Sequence, residues 1–187
     1  NGTNNLKYRG FLKACNRRAA AYACQQINGY LQPNRATIIN LLSIEEREGK
    51  SFLAKYFAQY WESEGLHVRI VNHDIDFEKE SKSYVQAQQL SDFWQLNDAE
   101  QQPDIILVEY PALCHYDVPE KVLAESDFNL LVANAARLWS EKDNARLRSV
   151  KDILKDKSLY LYLNNADRET VELSLIHISE PTRRSYI

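Results

Sequence analysis

Ser43-Ile44-Glu45-Glu46-Arg47-Glu48-Gly49-Lys50-Ser51 is the stretch on which the reading of this chain turns. An apolar run, Ala36-Thr37-Ile38-Ile39-Asn40-Leu41-Leu42, precedes it, and an amphipathic run from Phe52 to Trp61 follows. A buried strand, a tight loop ending Gly-Lys-Ser and then a helix is the context that a phosphate-binding loop requires. Backbone N–H groups at the helix start then face an anion, and the helix dipole favours it. Lys50 would supply a point charge to the outer phosphates and Ser51 a hydroxyl to Mg²⁺. The tripeptide alone is common, and the bland reading is a strand-to-helix turn with an exposed lysine. The flanking strand and helix give the phosphate reading its weight.

Outward from this loop, His67–Asn72, Asp104–Glu109, Phe128–Val132 and Leu159–Leu163 read as further strands. Helical composition separates them: Ala14–Leu31 before the loop, then the loop helix to about Glu64, Lys79–Leu96, Glu120–Ser126 and Ser140–Lys155. Ser140 is a suitable N-cap, and Tyr22, Ile27 and Tyr30 are available for one buried face of the first helix. Apolar strands alternating with helices predict a three-layer α/β fold, a parallel sheet with helices on both faces. Its connections should be right-handed crossovers. Ligands of such sheets bind beyond the carboxyl ends of the strands. That rule sets Ser43–Ser51, Asp74 and Asp76, Glu109, and Asn164 with Asn165 along one rim.

At 187 residues the chain fits one domain with a full core. Apolar residues make up 44% and charged ones 26%, which is ordinary for a globular protein. The net charge of −3 excludes a global basic field for nucleic acid. No run of about 18 or more apolar residues offers a membrane span. Cys15, Cys24 and Cys114 form no C-x-x-C pair, and an odd count argues for a reducing, cytoplasmic setting. The four histidines, His67, His73, His115 and His177, do not fall at metal-ligand spacings with the cysteines, and Cys114-His115 reads as loop packing.

The ends carry their own expectations. The chain has no methionine, so Asn1 is not expected to be a translational start, and Asn1–Lys13 reads as a polar linker. Leu173–Arg183 resembles the in-frame translation of a transposase-type sequencing adapter, so 173–187 is set aside as a non-native tail and 14–172 taken as the domain.

The chemistry-bearing residues then divide by role. Asp74 and Asp76, on an extended segment just past a strand, would share a face. One would hold Mg²⁺ and the other would orient or deprotonate an attacking group. A solvated acidic turn is the plain alternative, and their place beside the loop favours the rim role. Glu109, at the end of the strand expected beside the loop, stands where a carboxylate contacts Mg²⁺, though it is a methylene longer than aspartate. Asn164 can hydrogen-bond a base edge or close a turn. Tyr160 and Tyr162 share a sheet face and read as core.

The order of these motifs resembles the cytoplasmic domain of bacterial tyrosine kinases that accompany polysaccharide chain-length regulators, within the deviant-Walker P-loop group that includes ParA and MinD ATPases. The resemblance covers roughly Ala20 to Glu172. Ser43, Gly49, Lys50 and Ser51 match the family loop Ser-x-x-Pro-Gly-x-Gly-Lys-Ser. Asp74 and Asp76 match Asp-x-Asp-x-Arg, and Val108-Glu109-Tyr110-Pro111-Ala112-Leu113 resembles Asp-Thr-Pro-Pro-Leu. The family's equivalent of Asn164 lies at the adenine. What the resemblance implies is Mg·ATP as cofactor, with Arg47, Glu48, Gly49, Lys50, Ser51 and Asn164 around the nucleotide and Ser51, Asp74 and Glu109 around Mg²⁺. Asp76 would be the base for a tyrosine hydroxyl, with Asp74 beside it.

Departures from the pattern are equally specific. Arg47 replaces the loop glycine and Glu46 the proline; Glu78 stands in place of the arginine. Glu45, Glu46 and Glu48 crowd carboxylates where a polyanion would sit. Ala20, Ala23 and Gln26 fall where the family has its Glu-x-x-Arg-x-x-Arg subunit contact. The expectation is therefore a degenerate kinase-type domain of an exopolysaccharide chain-length or export protein. It would bind Mg·ATP weakly or not at all and act mainly as a docking module. Its expected partners are the polysaccharide machinery, a membrane-spanning part upstream of Asn1 and other copies of itself, at the cytoplasmic face of the inner membrane. The alternatives are a ParA/MinD-like positioning ATPase and a structural pseudo-ATPase scaffold.

Overall fold

The computed structural model describes residues 2–93, 101–165 and 176–177, with side chains over 14–93 and 101–165. The chain runs α1 (Gly2–Ile27), β1 (Thr37–Leu42), α2 (Lys50–Ser63), β2 (Val68–Asn72), α3 (Lys82–Val85), β3 (Ile105–Glu109), α4 (Glu120–Leu123), β4 (Phe128–Asn134), α5 (Glu141–Leu154), β5 (Leu159–Asn164) and β6 (Ile176–His177). The sheet order is β2-β3-β1-β4-β5-β6. All pairings from β2 through β5 are parallel, and β6 adds two antiparallel residues to β5. The expected α/β architecture is what the chain adopts.

Strands β1, β3 and β4 are buried on both faces, as their apolar runs require. Alternate residues feed two cores. Ile39, Leu41, Ile105, Leu107, Phe128 and Leu130 pack under α1 and α2, with Phe57 and Trp61 filling that layer. Leu42, Ile106, Val108, Leu131 and Leu159 face the other way, toward Val122 and Leu123 of α4 and Val150 and Leu154 of α5. Trp61 Nε1 donates to Asn28 Oδ1 at 2.8 Å, so the largest buried side chain also has its polar atom satisfied.

Several local expectations are corrected. Helix α1 begins at Gly2, so the segment read as a linker is helical. Its buried face is Ala20, Ala23, Cys24 and Ile27, spaced i, i+3, i+4 and i+7, while Tyr22 is exposed. Small side chains let α1 lie close against α2 in one core, so Ala20 and Ala23 are internal. The helix expected over Lys79–Leu96 shrinks to α3 and a 3-10 turn at Leu90–Asp92, because Ser81 and Asp92 hydrogen-bond nearby backbone N–H groups instead. Residues 94–96 of that expectation, 98–100 of the following loop and 166–172 at the domain end lie outside the described residues. So does the tail except Ile176–His177.

The Ser140 cap is present. Its hydroxyl accepts from Asp143 N–H while the Asp143 carboxylate accepts from Ser140 N–H, a reciprocal box that starts α5. Tyr160 stacks on Phe128 at 4.9 Å and its hydroxyl meets that of Tyr30, in keeping with a core role.

Candidate functional site

Central β1 ends at Leu42, so the Gly-Lys-Ser loop emerges mid-sheet at the carboxyl edge, flanked by β3 and β4. In register, Leu41 lies beside Glu109 and Asn72 beside Glu109, which brings the ends of β1, β2 and β3 together.

Gly49 is the N-cap of α2 at φ 106°, a conformation that glycine adopts without strain. A Cβ there would lie 2.1 Å from Asn164 Nδ2, which is itself bonded to Glu48 O at 3.0 Å. The end of β5 thus presses directly on the loop backbone. Arg47 also sits in the left-handed region, at φ 59°, where a side chain costs about 1–2 kcal/mol. Arg47→Gly should relieve this strain, offset by about 0.5–1 kcal/mol of unfolded-state entropy, for a net gain of about 0.5–1 kcal/mol. Gly49→Ala should instead lose about 2 kcal/mol, through strain and the displaced Asn164. Urea midpoints of the two variants should move in opposite directions. Movement the same way would show that the loop takes another path.

Helix α2 starts without a side-chain cap. Among the described residues, no protein acceptor takes the N–H groups of Gly49, Lys50 or Ser51. Those orphan donors and the helix dipole make a site suited to an anion.

Lys50 is 7% exposed and its Nζ donates to Ser43 Oγ at 2.5 Å. Burial pushes the ammonium below its ordinary pKa, opposed by the charges of Glu109, Asp74, Glu48 and Glu46. Ser51 Oγ donates to Glu109 Oε1, and Asn72 Nδ2 donates to Glu109 Oε2 at 3.2 Å. Burial raises the Glu109 carboxyl, against the opposing pull of the Ser51 bond and Lys50. Glu109, a methylene too long in the sequence reading, reaches the Ser51 hydroxyl.

Asp74 and Asp76 do not continue the strand as an extended pair. Asn72 Oδ1 accepts from Asp74 N–H at 3.0 Å and Ile75 N–H at 3.2 Å, and Asn72 O accepts from Asp76 N–H at 2.9 Å. The asparagine folds the chain into a turn. Asp74 is left half-buried, paired with Lys79 and within electrostatic reach of Lys50, while Asp76 is exposed. Lys79 also lies 4.3 Å above the Tyr116 ring.

Glu48 is 2% exposed. Its Oε2 accepts from the N–H groups of Ile44 and Glu45 at 3.1 Å each, and its Oε1 from Arg137 Nε at 2.8 Å. Its carboxylate is a brace inside the loop. Arg137 continues to both oxygens of Asp143 at 3.0 Å. Burial alone would raise the Asp143 carboxyl, but bonds from Arg137 and Ser140 hold it below the usual carboxylate range.

Arg137, Lys79 and Asn72 are site residues that sequence reasoning missed. An asparagine two residues before Asp-x-Asp was a legible turn signal for Asn72; nothing near Arg137 in the sequence pointed to Glu48.

No family model and no curated protein sequence matches the chain. Among solved structures, the kinase domain of Escherichia coli tyrosine kinase ETK superposes with a TM-score of 0.53 at 12% identity, covering 79% of this chain and 74% of that one. A possible uridine kinase from Bacillus stearothermophilus gives a TM-score of 0.47 at 14% identity, covering 78% and 98%. The fold is that of the P-loop NTPases. Among the described residues no helix is long and apolar enough to cross a membrane.

Proposed function

We propose that this chain is a Mg·nucleotide-binding domain of the bacterial tyrosine-kinase type, of weak affinity, serving as a docking or assembly module for polysaccharide chain-length control and export. The observation that carries it is the convergence of Lys50, Ser51, Asp74 and Glu109 around the uncapped start of α2. The N–H groups of Gly49, Lys50 and Ser51, with the Lys50 ammonium, suit a nucleotide's phosphates. Ser51, Asp74 and Glu109 offer hard oxygen donors suited to Mg²⁺. When bound, Mg²⁺ would neutralise charge on the phosphate oxygens. Asp76, exposed in the turn, remains the candidate to accept a tyrosine hydroxyl's proton. The Glu46 carboxylate, close enough to act on Lys50, works against a polyanion and keeps affinity low.

The polysaccharide partner, attachment to a membrane-spanning part of the same chain and self-association at the cytoplasmic face rest on the order of motifs and on the likeness to a tyrosine kinase domain. A structural scaffold is the second reading. Ser51 on Glu109, Lys50 on Ser43 and Asp74 on Lys79 give each of these side chains a partner within the protein.

Calorimetry with Mg·ATP on the chain and on Lys50→Ala separates the two readings. Saturable binding, weakened about 100-fold or about 2.7 kcal/mol in the variant, is expected. No binding by the unmodified chain at millimolar nucleotide would leave the scaffold.

A further inference from the structure

Away from the uncapped start of α2, the side chains of Glu45, Cys114 and Asp143 bring a sulfur and two carboxylate oxygens within 4.8 Å of one another. Beside that trio, His115 Nε2 lies 2.8 Å from Glu45 Oε2 and holds its carboxylate. Backbone bonds hold the segments that carry these groups. Leu113 N–H donates to Ser43 O at 3.0 Å and Cys114 N–H to Ile44 O at 2.9 Å, zipping the stretch after β3 along the loop. Asp143 is fixed in the capping box at the start of α5 and by Arg137. The donors are therefore pre-positioned by three separate parts of the fold.

Charge points the same way. The carboxylates of Glu45, Glu48 and Asp143 gather here, and Arg137 is bonded to the last two. Three carboxylates thus face the Arg137 guanidinium, with the charge of Arg146 also within reach of Cys114. A metal dication inverts that balance and deprotonates a coordinating thiol.

We infer that Glu45, Cys114 and Asp143, with His115 holding the Glu45 carboxylate, form a binding site for a borderline-soft divalent transition-metal cation of the Zn²⁺ class, distinct from the Mg²⁺ donors Ser51, Asp74 and Glu109. One sulfur and two carboxylate oxygens are donor types that Zn²⁺ takes, and they would leave a fourth tetrahedral position to water. Mg²⁺ and Ca²⁺, which take oxygen ligands, have no use for the thiol. On binding, the Cys114 S–H bond breaks and its proton leaves to solvent. The sulfur and the carboxylate oxygens replace waters on the metal, with no change of oxidation state. The plain competing account is that Arg137 already satisfies Asp143 and that Cys114 is loop packing. The ion would also tie Glu45, and with it the loop, to the segment after β3.

Co²⁺ is the probe, titrated into the reduced, metal-free protein without nucleotide. A near-ultraviolet sulfur-to-cobalt charge-transfer band with tetrahedral visible absorption is expected, bleached by Zn²⁺. The band should vanish in Cys114→Ser and persist in Cys15→Ser. Glu45→Gln should retain the band but bind Zn²⁺ on the order of tenfold or more weakly, since even outer partners of a metal site are worth 10–100-fold. Absence of the band in the unmodified protein overturns the site. So does its survival in Cys114→Ser, or unchanged Zn²⁺ affinity in Glu45→Gln.

Discussion

Arg137→Ala should cost about 3 kcal/mol of folding stability, the lower end of the range for stripping one partner from a buried ion pair. Glu48 and Asp143 are 2% and 1% exposed, and the guanidinium bridges them through Nε and Nη1. Without it, two carboxylates remain in a place that water does not reach. The cost stays at the low end because Glu48 keeps the N–H groups of Ile44 and Glu45, Asp143 keeps Ser140, and Arg137 is itself 24% exposed. Arg137→Lys retains the charge without the fork and should recover only part of the loss. Denaturant unfolding with a double-mutant cycle is the measurement. Glu48→Gln should be costly in the unmodified protein and near neutral beside Arg137→Ala, because the carboxylate it removes has then lost its counter-charge. Additive effects would mean that the bridge contributes nothing. Loosening this brace should also free the loop backbone between Ile44 and Glu48, which hydrogen exchange would report as lost protection at Ile44 and Glu45.

A fall of about 3 kcal/mol in stability between pH 6.5 and pH 4 is expected from His73 alone. The ring is fully buried, 4.5 Å from Phe93, 4.9 Å from Tyr110, 5.2 Å from Phe77 and 5.4 Å from Tyr84 by ring centroids. Its Nδ1 is 3.0 Å from Tyr84 Oη, and its Nε2 has no partner among the described residues. Burial pushes the imidazole down from 6.5 to about 4. Between those values the unfolded chain binds a proton that the folded protein refuses, so stability is full above pH 6.5 and declines as pH falls. Below about pH 4 both states are protonated and the histidine contributes no further slope.

Neighbouring groups occupy other windows. Asp127 and Asp143 are held below the usual carboxylate value, so the stability they contribute is lost only as pH falls below 3.8. Glu109 is raised above 4.5 and works in the opposite sense just above that pH, gaining stability as pH falls. Urea unfolding at a series of pH values, on the unmodified chain and on His73→Phe, isolates the term. Phenylalanine keeps the aromatic packing and removes the titration. Persistence of the slope in that variant would assign it elsewhere.

What the sequence determined was set by local pattern. The apolar run to Leu42, the Gly-Lys-Ser turn and the amphipathic stretch to Trp61 specify strand, loop and helix within one short window. Alternation of strands with helices specifies a parallel sheet, and that architecture carries Lys50, Ser51, Asp74, Glu109 and Asn164 to one rim. Ser140 was legible as a cap for the same reason, since a cap involves residues within the first turn, while its reciprocal partner Asp143 emerged only in the structure.

The tertiary structure alone decided the partners across the sheet. Glu48 and Arg137 are joined by the register of β1 against β4, and Cys114 meets Glu45 because β3 ends beside β1. Asn164 presses on Gly49 from the end of β5, two strands away from β1. His73 became a buried neutral base only when the segments carrying Phe77, Tyr84, Phe93 and Tyr110 closed round it. The reach of helical and strand periodicity is a few residues. Contacts between segments tens of residues apart follow from sheet order and packing, and no local pattern in the chain encodes them.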